Sequence, residues 1–363
     1  MNRILRTLIG AILVLSFISQ EFFVYAKTDD SSKVLKAYKK NSVEYTSLSL
    51  DIEAKRIQYQ LNKERYNTAL EKEKSYEPAN LEASVRDNLL LSTQENWLSM
   101  QDYLFYEENG DAIIKVKQSK KENELLSKYY QLTEMEAYKK YYQAVKEQYS
   151  YELSIENKKK RLEYGKGEVI KTIQQNIWDL RVMTEDLEQE REEIIADIME
   201  ETRLKSFCIA SRLPVSFEIK SQKEYEKKFM EQPEYKNYEW KVDMYKQYSA
   251  NLVGRISDSK DLEKYCNNQI DMITAEQTVQ KRAISTNVKK LLKQYQKATV
   301  SVQRCKDKMK EINQDIKKCN KAYKKGYSKK SDLLALKARK EKLNTELVSN
   351  RYDRLMIHYQ LEN

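Results

Sequence analysis

Residues 284–323 read ISTNVKKLLKQYQKATVSVQRCKDKMKEINQDIKKCNKAY. Apolar or small residues recur at Ile284, Val288, Leu291, Tyr295, Ala298, Val302, Cys305, Met309, Ile312, Ile316, Cys319 and Tyr323. The steps alternate between four and three without a break. That is the a/d seam of a heptad repeat, and it predicts one long helix with a left-handed supercoil against a partner helix. It makes the chain all-α, built from long antiparallel coiled-coil helical hairpins.

The seam ends at a turn. Gly326 interrupts it, and Tyr327-Ser328-Lys329-Lys330-Ser331-Asp332 forms the connection. A second apolar run follows through Leu333, Leu336, Leu343, Leu347, Leu355 and Tyr359. Two long helices joined by a short glycine-containing junction fold back on one another. The first half repeats the plan, with Gly165 and Gly167 before a stripe at Ile173, Ile177, Leu180, Leu187, Ile194 and Ile198. A shift of 161 places Gly165 on Gly326 and Ile194 on Leu355, and a shift of 190 places Tyr45 on Tyr235. The difference predicts ~29 extra residues inside the first half. The organisation expected is two tandem degenerate repeats, 33–205 and 232–363, joined by a linker at 206–231 that contains Arg212-Leu213-Pro214-Val215-Ser216-Phe217. Pro78 interrupts the first repeat, Glu108-Asn109-Gly110-Asp111 is a second turn signal, and Ala112 to Val116 a short strand candidate.

Composition points the same way. Charged residues make up 34% of the 363, with 6 Gly and 3 Pro, too few breakers for the turns of an all-β or α/β fold. The 27 Tyr suit half-buried helix seams, with a broad apolar body and a polar tip. The net charge of +10 is read as basic residues interleaved with acidic ones, a solvated helix surface rather than a nucleic-acid groove. At the N-terminus, Arg3 and Arg6 precede an apolar run from Leu8 to Ile18, followed by Val24-Tyr25-Ala26. Residues 1–26 therefore read as a secretory signal peptide or an uncleaved anchor, and the protein as exported, on the extracytoplasmic face of the envelope.

Chemistry is hard to place. His358 is the single histidine, and Cys208, Cys266, Cys305 and Cys319 are scattered without a C-x-x-C pair. That argues against a zinc site and for cysteines acting as small apolar core residues. Phosphate-loop, dinucleotide and nucleophile-elbow motifs do not occur. Glu188, Glu190, Glu192 and Glu193 read as a solvated acidic stretch, and Asp332 as an acid in the first turn of the last helix. No catalytic residue, metal or cofactor is expected.

The motif Ala322-Tyr323-Lys324-Lys325-Gly326, then Ser331-Asp332-Leu333-Leu334-Ala335-Leu336, then Tyr352-Asp353, resembles the terminal pattern of the TolC family of outer-membrane efflux proteins. Asn41 to Tyr45 and Gln232 to Tyr235 resemble that family's other recurring segment. The resemblance implies an oligomer, a trimer by preference, forming a helical conduit. Hairpin tips would meet a periplasmic-adaptor-like protein and, through it, an ABC or other membrane transporter. It assigns the tips to Tyr164, Gly165 and Lys166, and to Lys325, Gly326 and Tyr327, and places Asp332 at a pore-entrance constriction, with Lys171 at the equivalent first-half position. Where the family carries paired strands, Glu77 to Lys117 and Asn251 to Arg282 read as polar helix, which implies a relative without the β-barrel. The alternative is a non-catalytic coiled-coil structural protein of the cell envelope.

Overall fold

A computed structural model describes residues 30–76, 82–163, 165–214, 217–257 and 259–362. The signal peptide or anchor at 1–26, Pro78 and Tyr164 lie outside the described residues. Among those described there are eight α-helices and no strand: α1 (Ser31–Asn41), α2 (Val43–Ser75), α3 (Ala83–Arg161), α4 (Gly167–Thr202), α5 (Gln222–Met230), α6 (Pro233–Leu252), α7 (Ser259–Lys324) and α8 (Lys330–Glu362).

The chain divides into two compact units, each drawing on both halves of the sequence. One comprises residues 30–42, 122–219 and 291–362. Here α3 and α4 run antiparallel: Lys139 pairs with Glu188, Glu136 with Arg191 at 3.0 Å and Lys128 with Asp197 at 3.2 Å, so partner numbers rise on one helix as they fall on the other. On its other side α3 meets α8. Tyr352 and Ser127 share a hydrogen bond of 3.0 Å, and the Thr345 hydroxyl donates to the Ala137 carbonyl at 3.0 Å. Helix α8 in turn packs on α7, where Val302 and Cys305 cluster with Leu347. The pairings give the order α4–α3–α8–α7. Its middle helix α3 contributes the fully buried Leu125, Tyr129 and Leu132.

The heptad seam of α7 packs as its spacing predicts. Val288, Leu291, Ala298, Val302, Cys305 and Ile312 are buried, and Ile284, Tyr295, Met309, Ile316 and Cys319 half-buried; only Tyr323, beside the turn, is exposed. A non-helical strap lies across this unit. The Tyr129 hydroxyl donates to the Cys208 carbonyl at 2.8 Å, Asp30 accepts from the Cys208 amide at 2.8 Å, and Thr133 donates to the Ala210 carbonyl at 2.9 Å. Phe217 then stacks on His358 with ring centroids 4.5 Å apart, which gives the single histidine a packing role. Cys266 and Cys305 are buried core residues, whereas Cys208 departs from that expectation and is exposed on the strap. The 206–231 segment also contains helix α5, whose start carries a reciprocal Ser221–Glu224 capping box.

The other unit comprises residues 43–121 and 220–290. Tyr59, Leu90, Trp97 and Met100 of α2 and α3 pack against Met244, Tyr248, Leu252, Ile256 and Cys266. Tyr45 and Tyr235, matched by the 190-residue shift, are both buried. Helix α2 has 33 residues against 20 in α6, and α3 has 79 against 66 in α7, so the extra length of the first half is shared almost equally by the two arms of one hairpin.

Two expectations fail here. Glu108 to Asp111 is not a turn and Ala112 to Val116 is not a strand; both lie inside α3. Gly110 is required there for space. A Cβ on it would lie 2.6 Å from Ile52 Cγ2 and 3.0 Å from an Arg56 guanidinium nitrogen. Ile52 is fully buried with Phe105 and Ile113, and Arg56 reaches past the glycine to Asp111 at 2.8 Å. The ~1 kcal/mol that glycine costs inside a helix is thus offset by close packing of α2 on α3.

Candidate docking site

Two helix-connecting turns, between α3 and α4 and between α7 and α8, lie at the same end of one unit. The Lys330 ammonium sits over the Tyr151 ring, 5.1 Å from its centroid, which brings the start of α8 level with α3 ten residues, nearly three turns, short of Arg161. The α3–α4 turn therefore reaches further out than the α7–α8 turn, by about two helical turns.

At the α7–α8 tip, Gly326 has φ +77°, and the Tyr327 and Gly326 amides donate to the Ala322 and Tyr323 carbonyls, both at 2.9 Å. This is a Schellman cap, in which a left-handed residue ends the helix and satisfies its last carbonyls. Asp332 then sits in the first turn of α8. Its carboxylate accepts from the Lys329 amide at 3.1 Å and the Ser328 hydroxyl at 3.2 Å, so it closes the start of the helix as the sequence predicts. It is exposed.

At the α3–α4 tip the left-handed residue is Glu163, φ 65°. Gly165 is needed there for another reason: a Cβ on it would lie 2.6 Å from the Lys160 Cα. Lys166 is exposed immediately before α4, and Lys171 is exposed in its first turns.

The chemistry of the tips is basic and apolar. Residues 156–172 hold six Lys or Arg against three Asp or Glu, and residues 317–342 hold eleven against two; their net +12 exceeds the +10 of the whole chain, leaving the remainder at −2. Of these seventeen cations all but Lys340 are exposed. Between them stand Leu162 at 66% exposure and Tyr327 at 83%, with Val169 and Tyr323 also exposed.

Two further features bear on what the chain does. In the unit of residues 43–121 and 220–290, α2 exposes Val43, Leu50, Ile57 and Leu61, and α7 exposes Tyr265, Met272 and Val279. Their seven-residue spacing marks helix-packing seams that face solvent in the single chain. In the other unit, a carboxylate cluster lies where α3, α4 and α8 meet. Burial pushes Glu134 up to about 7, with the Ser349 hydrogen bond opposing and the Asp353 and Glu190 carboxylates reinforcing the shift. Asp353 and Glu190 are themselves raised by burial, and burial pushes neighbouring Tyr138 up to about 12. The acidic stretch of α4 is accordingly only partly solvated: Glu188 pairs with Lys139 and Arg191, and Glu190 accepts from Gln131. Among the described residues no group of three or more His, Cys, Asp or Glu has metal-binding geometry, and no helix is long and apolar enough to cross a membrane.

No family model matches this chain by sequence, and neither does any curated protein sequence. Solved structures do match. A membrane protein from Pseudomonas aeruginosa superimposes with a TM-score of 0.57 at 10% identity, over 96% of this chain and 95% of that one. The outer-membrane protein VceC from Vibrio cholerae gives 0.54 at 6% identity, over 95% of this chain and 98% of that one. CusC, which forms a transmembrane channel, gives 0.53 at 11% identity, over 95% of each chain. At such identities the likeness is one of fold. The chain has the tandem helical fold of TolC-type outer-membrane channels across nearly its whole length, without a strand among its described residues.

Proposed function

We propose that the protein is an extracytoplasmic, non-catalytic TolC-like component of an efflux or secretion assembly, acting as an oligomeric helical conduit or as a docking partner of a membrane transporter. The observation that carries this reading is the pair of solvent-facing heptad stripes on α2 and α7, in a chain whose fold matches channel-forming proteins end to end. Heptad seams bury their apolar rows against other helices, and a second copy of the same chain supplies helices of matching period. In this reading the stretches 33–205 and 232–363 are tandem repeats, the oligomer is a trimer, Asp332 narrows the entrance of its lumen, and Tyr164 to Lys166 with Lys325 to Tyr327 form the docking tips for an adaptor-like protein and its ABC or other transporter.

The test is self-association with the stripes broken. Ile57→Glu with Met272→Glu places two charges on seams that the folded single chain leaves exposed. Crosslinking of the unaltered chain is expected to yield multimers, and the double variant to remain monomeric with unchanged helicity. Equal crosslinking of both would remove the stripes from the interface. A monomeric unaltered chain would favour the second reading, a coiled-coil structural protein of the envelope, to which the long helices of the described residues also lend themselves.

A further inference from the structure

Positive charge is concentrated at one end of one unit. Fifteen of the seventeen tip cations are Lys and two are Arg. Lys159 pairs with Glu156 at 2.5 Å, and Lys330 lies over Tyr151. Among the described residues no ion pair engages Lys317, Lys321, Lys324, Lys325 or Lys329. Lys317, Lys321 and Lys324, at steps of four and three, share one face of α7, and Lys325 and Lys329 follow in the turn. At the outermost points the exposed side chains are apolar or aromatic: Leu162 on the leading tip, Tyr327 on the following one.

We infer that the hairpin tips form a binding site for an anionic phospholipid surface. Each tip presents an exposed apolar or aromatic apex, Leu162 or Tyr327, flanked by exposed lysines. Such an apex enters the boundary between headgroups and acyl chains while the lysine stems let their ammonium groups stay with the phosphates. Lysine is a compact point charge without the planar fork that arginine offers a fixed carboxylate, so its clusters suit a fluid array of headgroups. Each cation near such a surface adds to the attraction, which falls away within a Debye length of ~8–10 Å. The longer α3–α4 tip makes the first contact through Leu162, and as Leu162 sinks below the headgroups the more heavily charged α7–α8 tip, about two turns behind, comes within a Debye length of the phosphates. This inference rests on the tips alone and stands or falls separately from oligomerisation.

The experiment places a reporter at the apex. Leu162→Trp in the full chain is mixed with vesicles of phosphatidylcholine, with or without one-third phosphatidylglycerol, some carrying brominated acyl chains. Because the run Leu8–Ile18 is apolar and has its own affinity for lipid, the readout is the reporter's added fluorescence, not sedimentation. Blue shift and bromine quenching are expected with the anionic vesicles, absent with neutral ones and reversed by 0.5 M salt. Adding Lys324→Gln, Lys325→Gln and Lys329→Gln is expected to weaken the response tenfold or more, whereas Lys264→Gln, Lys281→Gln and Lys289→Gln leave it within twofold. The inference is overturned by an equal response to neutral vesicles or by equal losses in the two triple variants. It is also overturned by a reporter that ignores vesicles and answers to an acidic polypeptide such as polyglutamate.

Discussion

The two hairpin tips occupy equivalent places in the two halves of the chain, yet each uses its glycine differently. Gly326 supplies a dihedral angle: it stands at φ +77° with no atom near where a Cβ would be. Gly165 supplies room, packed against the Lys160 backbone, while the left-handed turn at that tip falls to Glu163. A residue matched between repeats by position need not be matched by cause. Substitutions that separate angle from volume therefore distinguish the tips.

The largest effect is expected at Gly165. Its replacement by Ala drives a Cβ into backbone, and overpacking of this kind costs about 2–3 kcal/mol unless the last turn of α3 unwinds. Hydrogen exchange should show the amides of Lys158 to Glu163 losing protection, and unchanged protection would contradict the close approach. Gly165→Asn should do no better than Ala.

Buried charge gathers where the two hairpins meet: Glu134 of α3 faces Glu190 of α4, with Asp353 of α8 and Tyr138 completing the cluster. A carboxyl whose folded-state value is raised binds its proton more tightly folded than unfolded. Its contribution is therefore most favourable below the unfolded value of about 4.5, and it is lost as pH rises through about 7. Glu134→Gln should remove part of that slope, leaving the variant more stable than the parent above neutrality by on the order of 1–2 kcal/mol, since the site is half-buried. Denaturant melts at pH 5 and pH 8 measure it, and parallel pH profiles would place Glu134 in water.

At Gly326 the same change to Ala is expected to cost about 1 kcal/mol through the left-handed angle alone. Asn, which tolerates that angle, should recover much of the loss. The contrast between Asn at the two tips sharpens the comparison most, because a shared mechanism would make both sites respond alike. The smallest effect is at Asp332, where Ala removes the carboxylate that accepts from Lys329 and Ser328. A loss of about 0.5–1 kcal/mol in thermal stability is expected, and none if the helix start is held otherwise.

What could be read in advance divides along the same line between period and contact. The α7 seam was legible because a heptad constrains every third or fourth residue over forty positions, and no local accident imitates it. Asn109-Gly110 was misleading because turn chemistry and close helix packing both select glycine. Phe105 and Ile113, eight residues apart on one helix face, carry the signal that α3 continues through it. The glycines marked both breaks between helices, but Glu163 as the left-handed residue left no mark in composition. The basic tips were hidden by averaging. Acidic and basic residues do alternate along the chain, and only folding brings residues 156–172 and 317–342 to one end of a unit. Glu134 likewise looks like any helix-surface acid until α4 and α8 close over it.

The central claim is that a chain with a channel-type helical fold completes its exposed seams with copies of itself. The mass of the unaltered protein, by light scattering after size exclusion in mild detergent, tests it most directly. A particle of three chains of 43.2 kDa each, converted to single chains by Ile57→Glu with Met272→Glu, is the predicted result. A single-chain mass that persists at high protein concentration would contradict it.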